Sequence, residues 1–227
     1  MLEKLLLIIV EAALELVPPE CRKHPSVVKD AKRRGKTPGE VLLDRSYHHA
    51  AMKELRNSHK RGRPDITHFS LLEALGSPLN RKGMLETYVA TIDNYVIYVK
   101  PYVRLPKNYD RFKGLVEQLY RKQVITAEDG RELLSIQRKP LRQLLKELSP
   151  STVLLMSEAG EAVNPRELAN LIKESSRPAV LVGGFPHGGF AEETINLAES
   201  VVKIFDEPLE AWVAVSRILC AVEEAVL

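Results

Sequence analysis

Two stretches of the chain combine residue types that could do chemistry. The first is VLVGGFPHGGF at 180–190, an apolar run that ends in Gly183 and Gly184, turns through Phe185, Pro186 and His187, and reaches Gly188 and Gly189. In open parallel sheets, ligands sit beyond the carboxyl ends of strands, and glycines there let the backbone approach a ligand closely. The spacing is not GxGxxG, because Gly183 and Gly184 are adjacent, and no Lys-Ser/Thr follows as a phosphate loop requires. Dinucleotide binding is therefore disfavoured, and an adenosine-type ligand stays open. On its own the loop reads either as a ligand cradle or as a turn that needs positive φ. His187 is a candidate general base, but a histidine without a Ser or Cys partner reads more naturally as a loop residue. His48, His49 and His68 lack metal-ligand spacing, and no metal site is expected.

The second stretch is a pair of basic segments. HKRGRPD (59–65) holds Lys60, Arg61 and Arg63, followed by Asp65; VRLPKNYDRFKG (103–114) holds Arg104, Lys107, Arg111 and Lys113, with Tyr109 and Phe112 between them. Arginine forks match phosphates, and aromatic rings stack unpaired bases. Each segment has a plainer reading. Asp65 would compensate a helix N-terminus, worth about 0.3–1 kcal/mol, and Arg111 and Lys113 would line a solvated helix face. The charged residues of both segments fall in residues 1–113, which carry 21 Lys+Arg against 13 Asp+Glu, a net of +8, whereas residues 114–227 carry 12 against 17, a net of −5. The overall charge of +3 hides this asymmetry. Taken together the segments point to RNA.

The elements that must position these residues follow from pattern. The chain has 227 residues, of which 44% are hydrophobic and 28% charged. That supports one large domain or two small ones and excludes a disordered chain or a membrane protein. The apolar run at 5–10 is broken by Glu11 and Glu15, well short of the ~20 residues of a membrane span. With only Lys4 before it, it lacks the basic start of a secretory signal. It reads as a buried first element of a soluble, cytoplasmic protein. Two cysteines, Cys21 and Cys220, exclude a disulfide framework and a four-cysteine zinc site, and suggest a reducing compartment.

Residues 18–40 are rich in Pro, Lys and Arg and read as a long loop or flap with a short helix. Helical patterns cover about 46–56, 65–76, 108–122 and 140–148, and 85–92 with 95–100 reads as a hairpin around Asp93-Asn94. A strand at 152–158 is followed by a helix at 164–175, with Asn164 as N-cap and Pro165 at its first position. A strand at 179–184 comes next, then a helix and short strand within 194–205. Residues 208–226 carry the stripe Leu209, Trp212, Val213, Leu219, Val222 and Val226 of an amphipathic helix. Strands alternating with helices predict an α/β fold with parallel pairings.

Three blocks carry a family resemblance: RGRPDITHFSLLEALGSPLN (61–80), VRLPKNYDRFKGLVEQL (103–119) and LVGGFPHGGF (181–190). They resemble the small-subunit rRNA pseudouridine-N1 methyltransferases of ribosome biogenesis. The archaeal branch is nearest, since the chain is compact and starts without an acidic extension. The likeness covers nearly the whole chain in order and is weakest before residue 40. It implies an SPOUT-type fold: a largely parallel sheet flanked by helices, with a C-terminal trefoil knot that general topological rules would not supply. It further implies a single domain over 1–227 with a basic, family-specific part within about 18–113.

The resemblance implies S-adenosyl-L-methionine as cofactor. Its site would be built from Leu154, from Gly183, Gly184, Phe185 and Gly188, and from Ile204, Phe205, Asp206, Glu207, Pro208 and Leu209. RNA-contact positions fall on Arg63, Asp65, Arg104, Lys107 and Arg111, with Asp65 and Arg63 catalytic. Lys107 stands where relatives can carry arginine, which keeps the charge but loses the bidentate fork. The segment VKIFDEPL is less polar than in some relatives. The implied partners are small-subunit rRNA, a second copy of the chain, and small-subunit ribosomal proteins. Two rival readings are a tRNA-directed methyltransferase of the same class, and an RNA-binding assembly factor whose methyltransferase activity is incidental.

Overall fold

The computed structural model describes residues 2–227. Strand β1 (Leu5–Ala12) is apolar on successive residues because it lies mid-sheet, between two parallel neighbours, with a core on each face. There follow α1 (Pro25–Arg33), α2 (Arg45–His48), α3 (Pro64–Gly76), α4 (Pro78–Arg81), β2 (Leu85–Thr91) and β3 (Tyr95–Val99). Then come α5 (Tyr109–Lys122), β4 (Val124–Thr126), β5 (Glu132–Arg138), α6 (Leu141–Leu148), β6 (Thr152–Ala162) and α7 (Pro165–Lys173). The chain ends with β7 (Pro178–Gly183), α8 (Glu192–Ile195), β8 (Ser200–Lys203) and α9 (Ala211–Val226).

One sheet runs β4-β5-β3-β2-β1-β7-β6-β8. From β2 to β8 all pairings are parallel; from β2 to β4 all are antiparallel. The α/β fold with helices on the sheet is thus as expected, with an antiparallel wing beyond the hairpin. The turn Asp93-Asn94 is confirmed, with Asn94 left-handed at φ 62°. Strands β4 and β5 were not foreseen: β4 is three residues long and largely solvent-facing, so it offers no apolar alternation. Alternation along β1 sorts the two cores. Leu5, Leu7 and Ile9 join Phe112, Val180 and Val215 on the face covered by α3, α5 and α9. Leu6, Ile8 and Val10 join Leu144, Leu148 and Leu181 under α6.

Residues 18–60 are more ordered than a flap. Pro25 starts α1 and the His24 ring caps it by accepting from the Ser26 N–H. The pattern read at 46–56 is α2 followed by a 3-10 turn that ends at Met52. Val17, Cys21, Val27, Ala31, Val41, Leu43, Met52 and Leu55 make a small core of their own. Buried ion pairs fasten this unit to α5. The Lys113 ammonium donates to Asp44 at 2.9 Å, and the Tyr109 hydroxyl donates to the same carboxylate oxygen at 2.9 Å. Burial alone would lower the Lys113 pKa, but Asp44 and Asp110 together more than offset it and the pKa is raised. Glu117 accepts from Arg34 at 2.6 Å, from Lys36, and from the Leu42 N–H at 2.9 Å. Lys113 therefore does not belong to a solvated helix face.

At the C-terminal end the chain leaves β6, forms β7, and returns to place β8 on the far side of β6. Strand β6 extends four residues past the expected 158, through a register shift between Met156 and Glu161. Gly160 makes this crossing feasible: a Cβ there would lie 2.6 Å from the Val201 carbonyl carbon and from the Val202 nitrogen. The helix expected within 194–205 is the single turn α8, which starts earlier, at Glu192. No helix among the described residues is long and apolar enough to cross a membrane. Gly160→Ala should cost about 1–3 kcal/mol of overpacking against rigid backbone. A chain of this size would then melt roughly 3–10 °C lower, and an unchanged midpoint by circular dichroism would show that β6 and β8 part there freely.

Candidate functional site

A cavity of about 330 Å³ opens where β6, β7 and β8 end, within the range of small-ligand sites. Gly183, Phe185, Gly188, Ile204, Phe205, Glu207, Pro208 and Leu209 line it. Three other residues expected there do not. Leu154 is buried in the core two residues before the lining Met156. Gly184 faces β1, and a Cβ on it would come within 2.9 Å of Ile9 and Ala12, so its lack of a side chain serves packing. Asp206 points to solvent, 3.5 Å from Lys203. Sequence reading missed Met156, Ser157 and Glu158, which the strand-end rule could have found once β6 was placed, and Ala211 and Ala214 of α9, for which no local signal exists.

Gly188 has φ 95°, so the loop is both a turn and a cavity wall. Phe185 and Phe190 meet edge to face at 5.1 Å and brace it. The lining combines apolar side chains, glycine backbone, the two carboxylates Glu158 and Glu207, and Lys203 with His187. That lining suits a ligand with a flat apolar moiety and charged groups of both signs. His187 is exposed at the mouth. Among the described residues, no group of three or more His, Cys, Asp or Glu side chains is placed to hold a metal ion.

The basic loop 59–65 is divided by its partners. Lys60 is buried and donates to Glu11 at 2.7 Å, with its ammonium 4.3 Å from the Phe185 ring centre. Arg61 forks onto Glu15, both contacts at 2.6 Å. These two cations are structural and are not available to phosphates. Arg63 remains partly exposed; its backbone N–H donates to the Ala13 carbonyl and its side chain forks onto Asp65 at 2.8 and 2.7 Å. Helix α3 starts here because Pro64 suits the first helical position and Asp65 the positive end of the dipole. The Asp65 hydrogen bonds raise the Arg63 pKa, against a counter-effect of burial, and Glu210 adds to it. Ala13, whose carbonyl accepts from the Arg63 N–H, itself donates to the Gly184 carbonyl at 2.8 Å, and Lys60 lies over Phe185, so Arg63 and Asp65 stand beside the cavity loop.

The segment 103–107 is fastened to α3 by His68. Its Nε2–H donates to the Pro106 carbonyl at 2.7 Å, and its ring stacks on Phe112 at 4.2 Å. The carbonyl can only accept, so Nδ1 is the unprotonated nitrogen, and burial keeps the ring pKa below its ordinary value. This places Arg104 and Lys107 near α3, and Arg111 in the first turn of α5. All three are exposed. The aromatics between them point elsewhere: Phe112 is core and the Tyr109 hydroxyl is held by Asp44, so neither is a stacking platform.

A family model described as EMG1/NEP1 methyltransferase matches residues 7–223. The chain belongs to that methyltransferase family. It is 47% identical to the "Ribosomal RNA small subunit methyltransferase Nep1" of Thermococcus kodakarensis, over 96% of this chain and 97% of that one. It is 43% identical to the protein of the same description from Staphylothermus marinus, over 98% and 96%. Among solved structures it is similar to Archaeoglobus fulgidus Nep1 bound to S-adenosylhomocysteine, with a TM-score of 0.87, 40% identity, and 99% and 98% of the two chains covered. The matched span of this family member includes most of β1, the basic loop, the 103–111 segment and the cavity, and the fold is shared with the Archaeoglobus structure.

One titration near the site is large. Asp93 sits in the hairpin turn, accepts from the Thr91 hydroxyl at 2.5 Å and lies near Glu15. Burial, with the Glu15 charge adding, pushes its pKa from 3.8 up to about 6. Between those values the folded chain holds a proton that the unfolded chain releases, so stability falls as pH rises through the window and is level above it. Asp93→Asn should remove that slope and stabilise the protein above the window by about 2–3 kcal/mol. Denaturant melts on both sides of the window check this, and an unchanged pH profile in the variant would refute it.

Proposed function

We propose that this chain transfers the methyl group of S-adenosylmethionine to N1 of a pseudouridine in a hairpin loop of small-subunit rRNA, in the course of ribosome biogenesis. The observation that carries the proposal is one juxtaposition: a glycine-walled cavity with Arg63 and Asp65 at its rim, and the exposed Arg104, Lys107 and Arg111 on the segment fastened beside them. The named function of the relatives and the ligand of the Archaeoglobus protein agree with it.

S-adenosylmethionine supplies, when bound, a methyl group on a positively charged sulfur. Backbone at Gly183 and Gly188, with Phe185, Ile204, Phe205, Pro208 and Leu209, would hold its apolar parts. Glu158 and Glu207 would face its positive charge. Leu154 and Gly184 support the floor from behind, and Asp206 stays at the surface.

Pseudouridine differs from uridine in exposing a second ring N–H, which must lose its proton before the nitrogen can attack. The base must also leave its stack. Asp65 accepts that proton or orients the base, and Arg63 stabilises the negative charge that develops on the ring. In the resting geometry the two groups neutralise each other. RNA therefore has to draw Arg63 away before Asp65 can act. Arg104, Arg111 and Lys107 hold phosphates, Lys107 as a point charge without a fork.

A second copy of the chain would cover Phe69 and Trp212, which meet at 5.2 Å where α3 and α9 face solvent; Phe69 is 42% exposed. A two-fold dimer is the commonest arrangement. In this reading the crossing of β6 and β8 is the core of a trefoil knot of the SPOUT type, and 18–113 is the RNA-reading addition to a single catalytic domain. The protein works in the cytoplasm, with small-subunit ribosomal proteins as neighbours on the maturing particle.

The test is incubation with S-adenosylmethionine and matched hairpins carrying uridine or pseudouridine, read by mass spectrometry. Methyl on the pseudouridine hairpin alone is expected, and methyl on the uridine hairpin would overturn the substrate assignment. Asp65→Asn should cut the single-turnover rate at saturating RNA by about 10²-fold or more, and a normal rate would remove Asp65 from the chemistry. Arg104→Ala should flatten the plot of log affinity against log salt by about 0.7, one single-strand phosphate contact, and weaken related hairpins alike.

A further inference from the structure

Strand β1 is apolar through Val10 and then carries Glu11 in the left-handed region, at φ 49°. A glutamate avoids that region, and such strain persists only where the surroundings impose it. Here Glu11 sits in the register shift of β1, where Val10 and Ala13 on either side both pair with Gly184, and two side-chain contacts hold it. One carboxylate oxygen accepts from the Lys60 ammonium at 2.7 Å; the other accepts from the Ala191 backbone N–H at 2.8 Å. Ala191 closes the cavity loop at its far end, and Lys60 belongs to the basic loop that leads, three residues on, to Arg63. The two loops also touch directly. Lys60 lies over Phe185, a cavity residue, and the Cβ position of Gly188 is 3.1 Å from the His59 ring. The Lys60 and Glu11 side chains are only 10% and 14% exposed, so pulling them apart would leave charges poorly solvated and unmatched.

We propose that Glu11 is a positioning residue that couples the two halves of the site, so that a nucleoside ligand in the cavity and an RNA at Arg63 each favour the binding of the other. This rests on the reading of the cavity as the S-adenosylmethionine site and of the Arg63 surface as the RNA site. The coupling follows from geometry. RNA that engages Arg63 must fix the path of 59–63. Lys60 is inside that segment and carries Glu11 with it, and Glu11 holds Ala191 and hence the wall formed by 185–191. The adjacent Arg61–Glu15 fork keeps the rest of the basic loop from absorbing the movement. Coupling of this kind is reciprocal: whatever factor RNA adds to the ligand's affinity, the ligand adds to that of RNA.

The experiment measures S-adenosylhomocysteine affinity by calorimetry, with and without saturating pseudouridine hairpin, so that no turnover occurs. In the unaltered protein the hairpin should tighten S-adenosylhomocysteine by about 5-fold or more. Glu11→Gln keeps an oxygen for the Ala191 N–H but removes the charge that holds Lys60. In this variant each ligand should still bind alone, and the ratio should collapse towards one. Lys60→Met, which keeps the chain length and loses the ammonium, should show the same collapse and serves if Glu11→Gln does not fold. A role confined to folding would lower the melting temperature or both affinities and leave the ratio intact, which overturns the proposal. Two ligands that bind the unaltered protein independently also overturn it, while leaving the site assignment standing. Failure of both to bind overturns the assignment and the coupling together.

Discussion

Asp30, 5% exposed, pairs locally with Arg33 and Arg34, but four more carboxylates lie almost out of water: the side chains of Glu11, Glu15, Asp44 and Glu117 are 14%, 3%, 4% and 1% exposed. An ionised carboxylate withdrawn from solvent without a partner costs several kcal/mol, so each has to meet a cation. The cations come from far along the chain: Lys60 for Glu11, Arg61 for Glu15, Lys113 for Asp44, and Arg34 with Lys36 for Glu117. Two of these matches set the basic loop against the end of β1; the other two set the 18–60 unit against α5. Apolar contact alone is non-directional and would allow that unit to slide over the sheet. Paired charges with defined hydrogen bonds give the docking one register.

That requirement also sorts the positive charges. The N-terminal half has a net of +8, but Arg34, Lys36, Lys60, Arg61 and Lys113 are committed to the carboxylates of Glu117, Glu11, Glu15 and Asp44. What faces solvent near the cavity is a smaller set. Arg63 is held in readiness by Asp65, and Arg104, Lys107 and Arg111 stand on a segment that His68 and Phe112 fasten in place. The tether suits its task, because a neutral, buried imidazole with one fixed tautomer does not loosen as other groups titrate near neutral pH. The surface proposed to face phosphates is thus a small, rigidly mounted part of the exposed basic residues, next to the cavity rim.

What could be read from sequence was whatever local rules govern. Pro64 followed by Asp65 marks the start of α3, Asn164 and Pro165 mark α7, and an apolar strand running into Gly183 marks the cavity. Signals carried by tertiary contact could not be read. Gly183 and Gly184 are neighbours with opposite duties, one facing the cavity and one accommodating Ile9 and Ala12. Lys60 and Arg61 look like phosphate ligands until Glu11 and Glu15 are brought to them. The last residues of β6 look like a polar loop, since their strand state depends on β8. One misreading was avoidable: Phe112, Val116 and Leu119 recur at helical spacing and mark the inner face of α5, which already argues against Phe112 as a platform for bases.

The two populations of charge respond differently to the medium, and this separates binding from folding. Screening acts over a Debye length of about 8–10 Å at physiological ionic strength and works on charges that ions can approach. Arg104, Lys107 and Arg111 are of that kind; Lys113 with Asp44, or Arg61 with Glu15, are not. Salt therefore weakens whatever polyanion the surface holds without loosening the frame that presents it. A protein that must grip a polyanion and then let go of it benefits from that division. Exposed pairs could not provide it, since their contribution would fade under the conditions that release the ligand. Burial of the structural pairs, with the desolvation cost it carries, keeps the mounting of the site independent of ionic strength.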